Sequence, residues 1–411
     1  MSTKRLARAC AHVVVLMLVT IPVTCAAGLA SSVAQFKAAV EGSFAKAAYY
    51  PSPPNKDKDV KAIVGPTIQS AVNAPVIQMN SVRQHLDQLR MVQSASTDDK
   101  LRTTINGQVM PTSKAVSSAA NHTGGGASAD KPDSFERWGV FINGDFDDGR
   151  QSTVGTQTGF KVRSDGVTVG TDYRFVNNSV VGAAVGFLKA HSDLDDGAGN
   201  QHTKGYGFSF YGSFEPIPNA YIDAIVNIGH NSYDGQRQRG NASFSNDTSG
   251  NQWGFALGAG YAFNQGALAL TPYGRVEYVD AKVNGFTENG DKNLAYTIGE
   301  QRVNATTLAL GGQASYAVST SWGVLLPYGR LEYQYLAHSS GKDVTAQLVT
   351  DISSTSVPIQ IIGQDKSFGT FAVGLSAVFR RGVSAFFNYQ QLFAKDNVRD
   401  QLYTVGARLA F

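Results

Sequence analysis

The 411-residue chain has two cysteines, one long apolar run and a formal net charge of only +3. Each shortage excludes something. Cys10 and Cys25 both lie near the N-terminus, so no disulfide framework is available to the rest of the chain. A thiol-free remainder suits export through an oxidising compartment. With no apolar run of about 20 residues beyond the leader, a helical membrane protein is excluded. The near-neutral balance, with 16% charged residues, gives no reason to expect nucleic acid as a partner. Disorder along the whole chain is excluded by 10% aromatics and 43 glycines set against that low charge. A mean hydropathy of −0.16 resembles that of an ordinary soluble protein.

Residues 1–27 read as a secretory signal peptide. Lys4, Arg5 and Arg8 form a positive start, Ala11 to Val23 an apolar core, and Cys25, Ala26 and Ala27 a small-residue cleavage site. Acylation at Cys25 is the alternative, but Pro22, Val23 and Thr24 lack the small residue that lipoprotein processing wants. Residues 28–78 read as a short passenger-like segment, partly helical or disordered. An amphipathic stretch spans Ser32 to Tyr50, followed by Pro51, Pro53, Pro54 and an alternating Lys/Asp run. Residues 79–136 read as a helix and a flexible linker rich in Ser, Ala, Asn and Gly, ending near Phe135.

Composition changes sharply there. Residues 137–411 hold 36 of the 43 glycines and 37 of the 42 aromatic residues. From Trp138 onward the pattern has period two. In Gly323 to Leu336, the residues Leu325, Pro327, Gly329, Leu331, Tyr333 and Tyr335 share one face, and Tyr328, Arg330, Glu332 and Gln334 the other. Thr271 to Asp280 nearly repeats it, so that Pro-Tyr-Gly-Arg-x-Glu-Tyr occurs twice. About twelve such segments are legible, near 137–146, 159–176, 179–190, 203–215, 219–230, 250–263, 267–280, 303–317, 322–336, 367–380, 383–394 and 400–411. Alternate links are tight (177–178, 216–218, 264–266, 319–321, 381–382), whereas 191–202, 231–249, 281–302 and 337–366 read as long polar loops. Short turns on one side and long loops on the other are the pattern of an outer-membrane barrel. A soluble β-sandwich explains the alternation but not this parity. Trp138, Trp253 and Trp322 near strand ends suit interfacial girdles. In lipid every backbone group must be paired internally, so such a sheet has to close.

The last strand places Tyr403, Val405, Ala407, Leu409 and the terminal Phe411 on one phase, with Thr404, Gly406 and Arg408 on the other. An alternating strand ending in Phe resembles the signal by which outer-membrane barrels are taken up by the barrel assembly machinery. Together with the repeated Pro-Tyr-Gly-Arg-x-Glu-Tyr, Leu-Gly-Ala-Gly-Tyr at 257–261 and Gly-x-Thr-x-Gly-x-Asp-Tyr-Arg-Phe at 166–175, it resembles the C-terminal β-domain of type V autotransporters. The resemblance covers essentially all of 137–411. It implies an all-β, twelve-stranded antiparallel transmembrane barrel with an N-terminal amphipathic helix inside the pore, delivering an upstream segment to the cell surface. Implied partners are outer-membrane lipid, the barrel assembly machinery and periplasmic chaperones, with a monomeric barrel and no cofactor.

Ser81 to Gln93 supplies the helix. Ser81 and Gln84 have capping-box spacing, Val82, Leu86 and Leu89 form an apolar stripe, and Arg83, Asp87 and Arg90 occupy the remainder. His85 to Arg90 is similar to the leucine–arginine helix that precedes the barrel in that family; a helix of a small N-terminal domain is the alternative. The lumen-facing phase carries Asp172, Arg174, Asp223, Arg275, Glu277, Arg330, Glu332 and Arg408, available to pair with the helix, with one another, or with pore water. Small residues on that phase, among them Gly182, Gly186, Gly254, Gly260, Gly311 and Gly374, leave room for a helix. No Gly-x-Ser-x-Gly, His-Glu-x-x-His or phosphate loop is present, so no enzyme is expected. The Asp-rich stretches 145–149 and 193–197 lack the downstream Glu of a calcium loop, and His191, His202, His230 and His338 are scattered. No metal site is expected. A translocator, a passive pore and a surface hydrolase remain distinguishable by experiment.

Overall fold

Polar residues on one phase and apolar residues on the other become the two faces of one closed sheet. In a computed structural model the described residues are 58–97, 102–105, 108–111, 137–154, 158–175, 179–239, 241–341, 344–350, 357–359, 365–379 and 382–411. The signal peptide and the Ser32 to Tyr50 stretch lie outside them. The helix α1 spans Lys58–Thr97. Twelve long strands follow: β1 (Trp138–Gln151), β2 (Phe160–Arg174), β3 (Val180–Leu194), β4 (Gly199–Phe214), β5 (Ala220–Arg239) and β6 (Ala242–Tyr261), then β7 (Leu268–Val283), β8 (Gln301–Tyr316), β9 (Gly323–Gly341), β10 (Ser367–Phe379), β11 (Val383–Phe393) and β12 (Val398–Ala410). Each pairs antiparallel with its sequence neighbour, and β12 returns to β1. The backbone of Phe411 completes the seam through two bonds with Trp138 at 3.1 and 2.8 Å.

The outward phase is a lipid face. Phe187, Phe208, Phe210, Val226, Leu310 and Val405 are all exposed, as are Tyr403, Ala407, Leu409 and Phe411 of β12. Aromatic pairs mark the turn end: Trp138 with Tyr173 at 5.1 Å, Tyr261 with Phe263 at 4.7 Å and Trp322 with Phe379 at 5.2 Å. Trp253 belongs to a second belt, against Tyr278 at 4.9 Å, and lies in the interior of β6 rather than near its end.

That difference reflects strands longer than the bilayer requires. Segments 191–202 and 231–249, expected as loops, are mostly strand: β5 and β6 stay paired to Arg239 and Ala242. Outside the membrane neither face has to be apolar, so the alternation fades while backbone pairing continues. The stretches 145–149 and 193–197 sit in β1 and at the β3–β4 turn. From the segments 281–302 and 337–366, Phe286–Thr287, Tyr296–Ile298, Val344–Leu348 and Val357–Ile359 form a separate four-stranded sheet. It caps the end opposite the tight turns. Arg237, wholly buried, clamps this cap by two bonds to Glu288 at 2.8 and 2.6 Å and lies 4.1 Å over the Phe244 ring.

The small lumen positions divide into two groups. Gly186 and Gly254 face the helix: a Cβ there would approach Gln78 and Met79 to 2.7 and 2.8 Å. Gly182, Gly260, Gly311 and Gly374 instead receive the rings of Tyr211, Tyr221, Tyr273 and Tyr328, their direct cross-strand partners. The twice-repeated Tyr-Gly-Arg motif is therefore a packing device, each tyrosine lying flat over the glycine of the next strand. At Gly374 an added Cβ would meet the Tyr328 ring at 2.3 Å and the Phe387 carbonyl oxygen at 2.7 Å. Gly374→Ala is expected to cost about 1–3 kcal/mol as an overpacked site. Urea unfolding of the refolded protein measures it, with Gly312→Ala, whose Cβ meets nothing within 4 Å, as the control.

Candidate functional site

The interior of the barrel is filled by α1. Its extent corrects the expectation of a helix from Ser81 to Gln93: the helix begins at Lys58, inside the segment read as passenger-like, and continues through Pro66 and Pro75. Each proline removes a helix hydrogen bond, which is why a sequence reading stops short of them. Ser81 is a fully buried interior residue, not a cap. Its carbonyl and hydroxyl oxygens accept from Asn143 Nδ2 at 3.0 and 3.2 Å.

The apolar stripe packs as one cluster. Met79, Val82, Leu86 and Leu89 meet Phe141, Val180, Tyr211, Ile225, Ala256 and Val279 of the wall. Burying each such side chain is worth about 1.5–3 kcal/mol. Polar contacts then set the register along the helix. Thr67 Oγ1 donates to Gln201 Oε1 at 2.6 Å and Gln78 Nε2 to the Gly207 carbonyl at 3.0 Å. His85 Nε2 lies 3.0 Å from Asp172 Oδ2, and its ring stacks on Phe141 at 3.9 Å. Asp172 also accepts from Arg408 at 2.7 Å, which ties the helix, β2 and the last strand together.

Near the turn end the charges interlock. Arg90 donates to both oxygens of Asp223 at 2.8 Å and lies 3.8 Å over the Tyr221 ring. Asp87 accepts from Arg330 at 3.0 Å and from Arg90 at 2.5 Å. Arg275 bridges Glu332 at 2.8 Å and Glu277 at 2.5 Å, and Tyr273 Oη donates to Glu332 at 2.9 Å. A cavity of about 410 Å³ remains beside the last turns of α1, lined by Arg83, Arg90, Arg174, Tyr273, Arg275 and Ser315 among others. Arg83 and Arg174 both line this cavity. His85, Ser81 and Gln78 carry contacts that the apolar-stripe reading passed over. In a lumen that surrounds the helix, the polar side is as buried as the apolar one, and periodicity gives no sign of that.

The helix has a direction. Ala62 packs on Phe160, Val162, Ala190 and Leu194, and Val64 packs under the cap on Phe286, Ile298 and Val344. At the other end Met91 meets Ala317, Val324, Leu326 and Val378 beside the tight turns. The hairpin of Arg102–Ile105 and Gln108–Pro111 lies close to Val318–Ser319 on that same side.

The four external histidines do not form one cluster. His191 and His202 stack at 4.3 Å, His230 contacts Asn251 at 2.7 Å, and His338, within β9, pairs with Thr306. Among the described residues no group of three or more His, Cys, Asp or Glu side chains is placed to hold a metal ion.

A closed antiparallel barrel with a lipid-facing exterior, traversed by one helix from its own N-terminal side, defines an outer-membrane translocator domain. The Autotransporter beta-domain family model matches residues 140–390, and the chain belongs to that family of the bacterial outer membrane. The translocator domain of the autotransporter NalP from Neisseria meningitidis shares the fold, with a TM-score of 0.53 at 17% identity over 72% of this chain and 93% of that one. Among curated relatives, the protein YaiT of Escherichia coli is 25% identical over 66% of this chain and 26% of its own length. Outer membrane protein B of Rickettsia japonica is 25% identical over 43% of this chain and 12% of its own. Esterase EstA of Pseudomonas aeruginosa is 24% identical over 52% of this chain and 33% of its own. The chain thus spans about a quarter or less of the length of the first two.

Proposed function

We propose that the barrel delivers the residues preceding α1 to the outer surface and then retains α1 as a plug. The direction of α1 carries this reading. Its first turns lie under the external cap and its last turns at the turn end, so the N-terminal end of the helix faces the external side. The contacts of Asp87 with Arg330, of Arg90 with Asp223 and of His85 with Asp172 hold the plug together with the apolar stripe of Val82, Leu86 and Leu89. An epitope placed beside Tyr49 tests this by protease treatment of intact cells. Removal of the tag is the expected result; a shielded tag, with the 337–366 segment cut in the same cells, overturns it in favour of a passive pore.

The outward row Tyr403, Val405, Ala407, Leu409 and Phe411 supports recognition of a monomeric chain by the barrel assembly machinery and periplasmic chaperones before it meets lipid. Deletion of Phe411 removes the terminal aromatic and both seam bonds to Trp138. Membrane fractions of cells expressing that variant are expected to contain several-fold less folded, heat-modifiable barrel; an undiminished amount refutes the assignment. The reading is non-catalytic. EstA is an esterase by name, but His230 and His338 of this chain lie apart from the stacked His191–His202 pair and its sequence lacks a nucleophile elbow. Ester turnover by whole cells that is lost in His230→Ala or His338→Ala would overturn it.

A further inference from the structure

The described acids around the turn-end cavity are engaged, Glu215 of the lining by the Asn219 backbone N–H. Glu332 accepts from Arg275, Tyr273 and Gln334; Glu277 from Arg275; Asp87 from Arg330 and Arg90; Asp223 from Arg90. Arg83 is left over. Its charge lies within reach of Arg275, Arg330, Glu332 and Tyr273, yet among the described residues its Nε and Nη1 are buried without an acceptor. Arg275 Nε is likewise buried and unpartnered. Three donor nitrogens without an acceptor, on two guanidiniums, therefore border a cavity of about 410 Å³, with a third guanidinium, Arg330, in its lining. A buried cation without a partner is strongly unfavourable, and planar guanidinium forks match carboxylate and phosphate oxygens.

We propose that this cavity is an oxyanion site, in which Arg83 and Arg275 donate to a phosphate or carboxylate group beside the charge of Arg330. Pro216, Ile217, Pro218, Asn219 and Ala262, which belong to the tight turns, also line the cavity, so it opens toward the turn end of the barrel. The ligand enters from that compartment. Two sources share the chemistry: a free inorganic oxyanion, and an acidic side chain of polypeptide lying in the lumen. Either one would bridge Arg83 of the helix and Arg275 of the wall, adding a ligand-dependent lock beside the Asp87–Arg330 and Arg90–Asp223 pairs. This inference goes beyond export, since it concerns a small ligand and holds whatever segment the barrel delivers.

Calorimetric titration of the full refolded chain in detergent, at constant ionic strength in a chloride background, tests it with inorganic phosphate and with acetate. Saturable binding of at least one of the two is expected. Preference for acetate points to a side-chain carboxylate as the natural ligand, and preference for phosphate to the free ion. Arg83→Gln is expected to weaken binding about tenfold or more, the usual consequence of losing a charge-assisted bond. Arg302→Gln, which removes a half-exposed guanidinium paired with Asp280 on the wall, is expected to bind as the unaltered protein does. No saturable binding of either ion, or equal binding by Arg83→Gln, overturns the site. A second measurement needs no variant: in planar bilayers, phosphate added on the turn side is expected to reduce the residual current at lower concentration than phosphate on the external side. Equal sensitivity from both sides also overturns the proposal.

Discussion

Excision of Lys58–Thr97 raises the single-channel conductance of the barrel several-fold. The reason is geometric. An α-helix with its side chains is about 10–12 Å across, close to the whole interior of a small barrel. What the helix leaves open is a cavity at one end, and the other end is covered by the cap sheet. Without α1, the inward Asn143, Asp172, Ser209, Asp223, Asn227 and Arg330 face water, an environment they suit better than lipid or a dry core. The wall itself does not depend on the helix for its backbone bonds, since every strand is paired on both edges. Heat-modifiable migration of the excised protein is expected to persist and verifies the barrel. A conductance no higher than that of the intact chain would show that the cap, not the helix, closes the pore. A milder version replaces Arg275 and Arg330 together with Ala. It strips Asp87 of its wall partner and loosens the cluster around Glu332, and a measurable rise in conductance is expected. An unchanged value would mean that these contacts do not hold the plug in place.

The second large effect belongs to the external cap. Arg237 is wholly buried, bonded twice to Glu288 and stacked between Phe244 and Tyr296 at 4.1 and 5.3 Å. Arg237→Met leaves the Glu288 carboxylate buried without its cation, a change that costs about 3–5 kcal/mol. The loss is local. The cap strands pair with one another, so their opening need not unfold the barrel. Limited proteolysis of the refolded protein is expected to cut within the cap segments 286–298 and 344–348 at least a hundredfold faster than in the unaltered chain, while the barrel strands stay intact. Coupling the change to Glu288→Leu removes the orphaned charge and is expected to restore most of the resistance, as apolar replacements of buried ion pairs do. If the single variant resists protease as well as the parent, the pair does not hold the cap. If the double variant is as weak as the single, lost packing over Phe244 is the cause rather than the stranded charge.

How much of this was written locally follows from what each residue pattern had to satisfy. Alternation in Leu325 to Tyr335 fixed the inward and outward phases of β9, because a one-residue slip would turn Arg330 and Glu332 toward lipid. Tight turns such as 264–266 and 381–382 were legible through Gly266 and Gly382, which take φ of 60° and 70° in the left-handed region. Strand ends were not legible on the external side. Beyond the membrane, residues such as Gln236, Arg237 and Ser245 pair with no lipid face to mark them. The full helix was hidden by Pro66 and Pro75 and by polar positions such as Gln78, Ser81 and His85, which read as a solvated surface. Tyr273 and Tyr328 were visible as a repeat, but their use required knowing that Gly311 and Gly374 stand opposite.

By itself, then, the sequence determined that the chain is exported, that it crosses the membrane by strands, and which phase of every strand meets lipid. A bilayer imposes those constraints on each segment separately, so each segment records them. Only the tertiary structure decided that some lumen glycines face the helix and others receive tyrosine rings, that a 40-residue helix threads the lumen with its first turns outward, and that Arg83 Nε and Nη1 find no acceptor among the described residues. Those facts depend on residues tens to more than two hundred positions apart being brought within about 3 Å, the range over which hydrogen bonds and charge pairs are decided.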